Sequence, residues 1–168
     1  MKTFVVILLL LYSGCGTPES YTVERESPMS VIITGEIDRA VLQSDDVCKM
    51  WYEQHYSEYR IDSARTAELG RMQENISYII VAGTWCGDSK RQLPRLFKIF
   101  DAAEVSENQV RMFGVGRTKK IDKKELEQYA VQYVPTIIVL RNEREIGRIV
   151  ESPVETLEAD LVSILRQP

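Results

Sequence analysis

Residues 78–100 constrain the fold of this chain more than any other stretch, because their hydrophobic pattern changes period midway. Residues 78–82 are a nearly unbroken apolar run, which predicts a strand buried on both faces, as in the middle of a parallel sheet. Gly83 ends the run, and from Leu93 onward the apolar residues recur at helical spacing. The chain therefore passes from strand to helix near Cys86, which is placed at the first helical turn, where backbone N–H groups lack intrahelical partners.

This position favours thiol chemistry at Cys86. The thiolate is the nucleophile, and a helix N-terminus stabilises negative charge. Lys90 and Arg91 add positive charge nearby, whereas Asp88 disfavours a thiolate, and the sequence leaves this balance open. Ser89 lies on the same helical face, and we expect its hydroxyl to hydrogen-bond the Cys86 sulfur. The alternative interpretations are a buried, inert cysteine and a serine that merely caps the helix.

The Trp-Cys-Gly motif at 85–87, after a buried strand and at a helix start, resembles the active-site motif of the thioredoxin family. Pro94 matches the proline that kinks the corresponding helix in thioredoxins. Pro135 matches the proline that is cis in thioredoxins and faces the active-site cysteine. The resemblance covers residues 77–165 and, more weakly, 51–69. It implies an α/β thioredoxin-like fold, with a central mixed sheet flanked by helices and an N-terminal helical extension.

The resemblance also implies catalytic residues Cys86 and Ser89 and a substrate-binding surface around them. The residues of that surface are Trp85, Gly87, Asp88, Val134 and Pro135. A cis Pro135 leaves the backbone around Val134 free to pair with an extended peptide, as in related domains. From the residues alone, a trans proline at the start of a strand is also physically reasonable.

Two departures from the thioredoxin pattern affect the expected activity. Ser89 stands where thioredoxins have the second, resolving cysteine, and Ile80 stands where they have a buried acid. The usual dithiol cycle therefore cannot run within this motif. The variant at 85–90, together with the segment 145–153, resembles a bacterial thioredoxin-like group of which many members are exported.

The predicted helix over 47–59 contains the other candidate side chains. Cys48 is one candidate for a resolving thiol, but its helical spacing with Trp51 and Tyr52 favours core packing. His55, the only histidine, is a candidate base, and a packed or surface histidine is the stronger interpretation. We expect no metal site, because the remaining cysteines and the histidine lack ligand spacing, and we expect no cofactor.

Residues 1–15 are expected to be a lipoprotein signal peptide. The apolar run over 4–11 suits a signal-peptide core of about 7–15 residues and is shorter than the roughly 20 that a membrane span requires. Small residues directly before Cys15 resemble a bacterial lipobox, in which that cysteine is lipidated, although Tyr12 stands where leucine is usual. The alternative is ordinary secretion, with Cys15 discarded or left free.

The rest of the chain, within a total of 168 residues, suits one domain with its own core. Polar residues 16–30 predict a flexible tether. Residues 31–168 then form a single thioredoxin-like domain, with an N-terminal extension over 31–75 and a core over 76–168.

The remaining predicted elements follow local patterns. Strands are expected at 31–37 and 110–115, and as a hairpin of 136–140 with 145–150. Helices are expected at 47–59, 63–73 and 122–129. The last helix is expected to have Ser152 as N-cap and Pro153 in its first position, with Val154 on its apolar face.

These observations predict a lipid-anchored thioredoxin-like protein of the bacterial cell envelope, facing the periplasm or the exterior. Its expected activity is thiol–disulfide exchange through the single active-site Cys86, with envelope protein thiols or disulfides as partners and the membrane as anchor. A net charge of −4 and the lack of a basic run argue against a nucleic-acid partner. The alternative is a redox-inactive thioredoxin fold that serves as a peptide-binding or scaffold module.

Overall fold

A computed structural model describes residues 21–120 and 124–167, which contain five α-helices, two short 3₁₀ helices and one six-stranded sheet. The strands are β1 Tyr21–Ser27, β2 Ser30–Ile37, β3 Ile76–Ala82, β4 Val110–Gly114, β5 Thr136–Arg141 and β6 Arg144–Val150. The α-helices are α1 Arg39–Ser44, α2 Asp46–Glu58, α3 Ser63–Arg71, α4 Gly87–Ala102 and α5 Leu157–Leu165. The 3₁₀ helices are Glu107–Gln109 and Lys124–Tyr129.

The predicted signal peptide and Cys15 lie outside the described residues, as do the first two residues of the helix predicted over 122–129. Within residues 21–120 and 124–167, no helix has both the length and the apolar character that a bilayer span requires.

The sheet is mixed and has the strand order β1-β2-β4-β3-β5-β6. The central strand β3 runs parallel to β4 and antiparallel to β5, and side chains from both of its faces are buried, as predicted. Tyr78 and Ile80 belong to the larger core, on the face covered by the α-helices. Ile79 and Val81 belong to a smaller core that also contains Leu126. Alternation along β3 therefore supplies both cores.

Helix α4 starts directly after the turn that follows β3, and its apolar face is buried as the spacing predicted. The ring of Phe97 lies 6.4 Å from that of Tyr52 on α2, and the ring of Phe100 lies 4.6 Å from that of Tyr78 on β3. Tyr52 is only 2% exposed, so the aromatic residues of α2 contribute to the core. These contacts hold the second half of α4 against α2 and β3.

The N-terminal extension adds strands as well as helices, and the tether predicted over 16–30 was wrong from Tyr21 onward. Residues 21–27 form β1, which pairs antiparallel with β2. All seven residues of β1 are exposed, so the strand gives no alternating pattern in the sequence. One row across the sheet joins Tyr21 to Gly35, Gly114 and then Ala82, so the first residue of β1 lies at the end of the sheet that precedes Cys86.

The prediction for the start of the last helix was wrong as well. Helix α5 begins at Leu157, and its N-cap is Thr156, whose side chain accepts from the Ala159 N–H at 3.1 Å. Val154 lies before the helix and is 95% exposed. The Asp160 carboxylate accepts from the backbone N–H groups of Val154 and Glu155, which holds this segment in a turn ahead of the helix.

The other predicted elements agree with the structure to within a few residues. Helix α2 is capped by Asp45, whose carboxylate accepts from the N–H groups of Val47 and Cys48. The hairpin of β5 and β6 is confirmed, and the expected helix over 122–129 is a 3₁₀ helix in its described part. Helix α1, capped by Asp38, was not predicted.

Candidate functional site

Cys86 is the N-cap of α4, held between the end of β3 and the first helical turn. Its N–H donates to the Gly83 carbonyl at 2.9 Å, and its own carbonyl accepts from the Lys90 N–H at 3.0 Å. The thiol is partly exposed and donates to the Val134 carbonyl at 3.3 Å. The Val134–Pro135 peptide bond is cis, as the resemblance implied. The sulfur is therefore accessible and lies against the backbone just before the cis proline.

Ser89 is fully buried and lies in the first turn of α4. Its hydroxyl accepts a hydrogen bond from the Gly83 N–H at 3.2 Å. The predicted hydrogen bond between this hydroxyl and the Cys86 sulfur is not formed in the structure. Ser89 instead fixes the backbone turn on which Cys86 is carried.

Trp85 folds back over the turn before Cys86. Its indole N–H donates to the Val115 carbonyl at 2.9 Å. A Cβ atom on Gly83 would lie 2.7 Å from the indole ring, so a side chain at position 83 would displace it. The Arg117 guanidinium lies 5.3 Å from the ring centroid on this side of the site. The indole is thus held in place by the backbone of two neighbouring loops.

Asp88 and Arg91 neutralise each other on the surface of α4. The guanidinium donates to the Asp88 carboxylate at 2.5 Å and also reaches the Ser152 hydroxyl at 3.3 Å. Two of the three charges that the sequence placed near the sulfur, those of Asp88 and Arg91, are therefore combined in one ion pair. Gly87 is exposed, and a Cβ atom there would meet nothing within 4 Å, so space for a substrate is open on this side.

Thr84 is a site residue that the sequence interpretation missed. It is 4% exposed, and its hydroxyl donates to the Val31 carbonyl at 2.6 Å and accepts from the Ile33 N–H at 3.1 Å. It therefore ties the turn before Cys86 to strand β2. The only signal in the sequence is a small polar residue between an apolar strand and the Trp-Cys-Gly motif, which does not identify a partner.

A basic segment beside the site was missed as well, because the sequence was judged by its net charge. Residues 116–120 contain three basic residues and no acidic residue. Arg117 overlies Trp85, and the Lys119 amine lies 5.3 Å from the centroid of the Tyr133 ring. The net charge of −4 therefore hides a local cluster of positive charge at residues 116–120, which the prediction of no basic run overlooked.

Cys48 is completely buried in the core beneath α2 and is not paired with Cys86. Burial, and then the Asp45 carboxylate, raise the pKa of the Cys48 thiol to about 12. A neutral, inaccessible thiol cannot resolve a disulfide at the surface, so the core-packing interpretation is the one that the geometry supports. His55 lies in the last turn of α2. In the described part of the chain, no group of three potential metal ligands occurs.

The fold and the site define a class of protein: an α/β domain with a partly exposed cysteine at a helix start, against a cis proline. The family model described as thioredoxin matches residues 36–162, which is more than half of the chain. The chain therefore belongs to the thioredoxin family.

Two solved structures with a TM-score above 0.5 agree with this fold. A protein of unknown function, PA1234 from Pseudomonas aeruginosa, is 16% identical, with a TM-score of 0.58 over 76% of this chain and 89% of that chain. An HIV epitope-scaffold is 19% identical, with a TM-score of 0.51 over 76% of this chain and 81% of that chain. Trxlp from Edwardsiella tarda EIB202 is 27% identical, with a TM-score of 0.40 over 64% of this chain and 96% of that chain. No curated protein matches the chain.

Proposed function

We propose that this protein carries out thiol–disulfide exchange through Cys86, on polypeptides outside the cytoplasm. The observation that carries the proposal is the partly exposed sulfur at the start of α4, against the carbonyl that precedes the cis proline. Unpaired N–H groups at a helix start stabilise a thiolate, and family membership makes such chemistry the natural use of this position.

The reaction begins when the Cys86 thiolate attacks one sulfur of a substrate disulfide. A new S–S bond forms to Cys86, the substrate S–S bond breaks, and the second substrate sulfur leaves as a thiolate that takes a proton from water. Release of the mixed disulfide then requires another thiol. Ser89 cannot serve, because a hydroxyl does not displace a thiolate, and Cys48 is buried. A thiol of the substrate, which gives isomerisation, or a separate reductant therefore completes the cycle.

The persistence of this mixed disulfide is the test. After acid quenching and alkylation of free thiols, a non-reducing gel of the full chain should show adducts that reductant removes. Cys86→Ser should abolish the adducts, and Ser89→Cys should make them scarcer, because the new thiol lies one helical turn away. The matched control Ser163→Cys places a thiol at an exposed position of α5 and should leave the adducts unchanged. A Cys86 that stays reduced in an oxidising compartment, with no effect of Ser89→Cys, would refute the proposal.

A peptide-binding module without redox activity is the second candidate. The observation that favours it is the engagement of the nearby polar groups: Arg91 is paired with Asp88, and the Ser89 hydroxyl is bonded to the backbone. Neither group is free to assist the sulfur. In that case, Cys86→Ser would bind the same peptides as the unmodified protein, with no difference in affinity.

We also propose that the protein is held to a bacterial membrane by lipid on Cys15. The support is the short apolar run followed by small residues and a cysteine. In a bacterial host given labelled palmitate, the full chain should incorporate label and sediment with membranes. A Cys15→Ala variant that still did both would exclude this anchor.

A further inference from the structure

Two cations of the segment 116–120 are held over aromatic rings that adjoin the Cys86 site. The Arg117 guanidinium lies 5.3 Å from the centroid of Trp85, the residue before Cys86. The Lys119 amine lies 5.3 Å from the centroid of Tyr133, the residue before Val134. A cation within about 6 Å of an aromatic ring is attracted to its π face. Both positive charges are therefore held over rings whose residues directly precede Cys86 and Val134, the two residues joined by the thiol hydrogen bond.

Only one of these positive charges is neutralised. The carboxylate of Glu26 on β1 accepts hydrogen bonds from two nitrogens of the Arg117 guanidinium, at 2.8 and 2.7 Å. This contact lowers the pKa of Glu26 to about 2. Among residues 21–120 and 124–167, no carboxylate forms an ion pair with Lys119 or Lys120. Within this described part of the chain, Lys119 and Lys120 therefore have no ion-pair partner, and the net charge of the whole chain is −4.

The same surface offers an apolar contact and a fixed backbone. Tyr133 is 50% exposed, so half of its side chain faces solvent under Lys119. The Lys119 N–H donates to the Gly116 carbonyl at 2.9 Å, which closes a turn and holds the two lysines at its end. This surface combines an exposed ring with two ammonium groups that no described carboxylate pairs with, which matches a peptide that carries carboxylates near its cysteine.

We propose that Lys119 and Lys120 form a docking surface for acidic residues next to the substrate cysteine that Cys86 attacks. This inference rests on the proposed thiol–disulfide exchange and names its substrate class. A carboxylate paired with either lysine raises the local concentration of the substrate sulfur at Cys86, so the effect is on the rate of mixed-disulfide formation. Salt weakens the attraction, because these charges are exposed.

Three cysteine peptides test the proposal, identical except for two Glu, two Gln or two Lys residues beside the cysteine. Each carries a thiopyridyl mixed disulfide. Attack by the Cys86 thiolate on the peptide sulfur breaks that S–S bond and releases 2-thiopyridone, which is followed by absorbance. Cys86→Ser gives the background. At low salt, the Glu peptide should react about tenfold faster than the Gln peptide, and the Lys peptide should be slowest.

Charge reversal should invert this order. Lys119→Glu with Lys120→Glu should make the Lys peptide the fastest, and Lys120→Glu alone should reduce the preference while keeping the contact of Lys119 with Tyr133. The matched control is Arg71→Glu with Arg144→Glu, which changes the net charge equally at the other end of the sheet. This control should keep the original order of peptides.

The outcomes separate the two proposals. Equal rates for the three peptides, all above the Cys86→Ser background, would overturn the docking surface and leave exchange intact. No reaction with any peptide or with bis(2-hydroxyethyl) disulfide would overturn the exchange itself. Equal peptide rates combined with lysine-dependent binding to anionic phosphatidylglycerol vesicles would assign the cations to a membrane contact instead, and the peptide proposal would fall.

Discussion

At the residue scale, Thr84 takes the place of a strand partner for β2. Strand β4 ends at Gly114, opposite Gly35, so the earlier residues of β2 extend beyond it. There, the Thr84 hydroxyl bonds both the Val31 carbonyl and the Ile33 N–H. Buried backbone groups need such partners, which explains why a polar side chain is buried directly before the Trp-Cys-Gly motif.

Replacement of Thr84 by valine should therefore be costly although the shape is conserved. Thr84→Val leaves a buried donor and a buried acceptor unpaired and should lower the free energy of unfolding by about 2–3 kcal/mol, measured by urea denaturation. Thr84→Ser keeps the hydroxyl and should lose less. The control Thr118→Val is exposed and should stay within about 0.5 kcal/mol. Equal stabilities for the valine variants at 84 and 118 would contradict this role.

The chemistry of single residues was only partly predictable from the sequence. The positions of Cys86 and Pro135 follow from one motif each. The partners of Ser89 and Thr84 do not, because they are backbone groups brought close by the turn and by β2. The cations at Arg117 and Lys119 were overlooked because only the fold shows which aromatic rings they cover.

At the element scale, Glu158 joins the N-terminal extension to the core. This residue of α5 is 1% exposed and accepts from the Tyr59 hydroxyl at 2.8 Å and from the Asp62 N–H at 3.1 Å. Burial, and then the Glu158 carboxylate, raise the pKa of Tyr59 above its ordinary value, so the phenol remains a donor. Asp62 is in turn the N-cap of α3. One carboxylate therefore connects the end of α2, the start of α3 and α5.

Removal of the Glu158 carboxylate should weaken the packing of the segment 59–62 against α5. Glu158→Leu leaves two partly buried donors without an acceptor and should lower the free energy of unfolding by about 1–3 kcal/mol. Glu158→Gln keeps an acceptor oxygen and should cost less. Glu74→Leu, at an exposed glutamate, serves as the control. Should hydrogen exchange over 59–71 be the same in Glu158→Leu and Glu74→Leu, the connection would have no structural role.

Elements with strong periodicity were predictable, and elements defined by tertiary contacts were not. An apolar run predicts strand β3, and apolar residues at helical spacing predict helix α4. Strand β1 has no buried residue, so nothing in its pattern distinguishes it from a polar tether. The start of α5 was misplaced because Asp160 binds Val154 and Glu155 ahead of the helix, against the local signal of a Ser-Pro pair.

At the scale of the whole molecule, the two described cysteines should report different processes. Cys86 is partly exposed, whereas Cys48 of α2 is completely buried, and burial raises the pKa of its thiol so that it stays neutral. A thiol-alkylating reagent should label Cys86 in the native protein. It should reach Cys48 only when the core opens, with the same urea midpoint as the loss of circular dichroism.

Peptide mapping by mass spectrometry reads both cysteines in one sample, so Cys86 serves as the internal control. The Cys48→Val variant checks that the second label belongs to this residue. Labelling of Cys48 without denaturant, at a rate comparable to that of Cys86, would show that α2 opens locally and that the core is not one cooperative unit.

The row of paired residues that runs across the sheet from Tyr21 to Ala82 would limit the distance between Cys86 and a lipid anchor on Cys15. Three strand spacings separate these residues, or about 14 Å. In a chain acylated at Cys15, residues 16–20 span at most about 18 Å when extended. Cys86 would then work within a few nanometres of the bilayer surface, on substrates that protrude little from it.

A maleimide attached to a lipid headgroup measures this distance directly. It should label Cys86 of the anchored protein, and an insert of about 20 Gly and Ser residues before Tyr21 should slow the labelling by dilution of the thiol. Labelling at the same rate with and without the insert would mean that the length of the segment before Tyr21 does not set the distance of Cys86 from the bilayer.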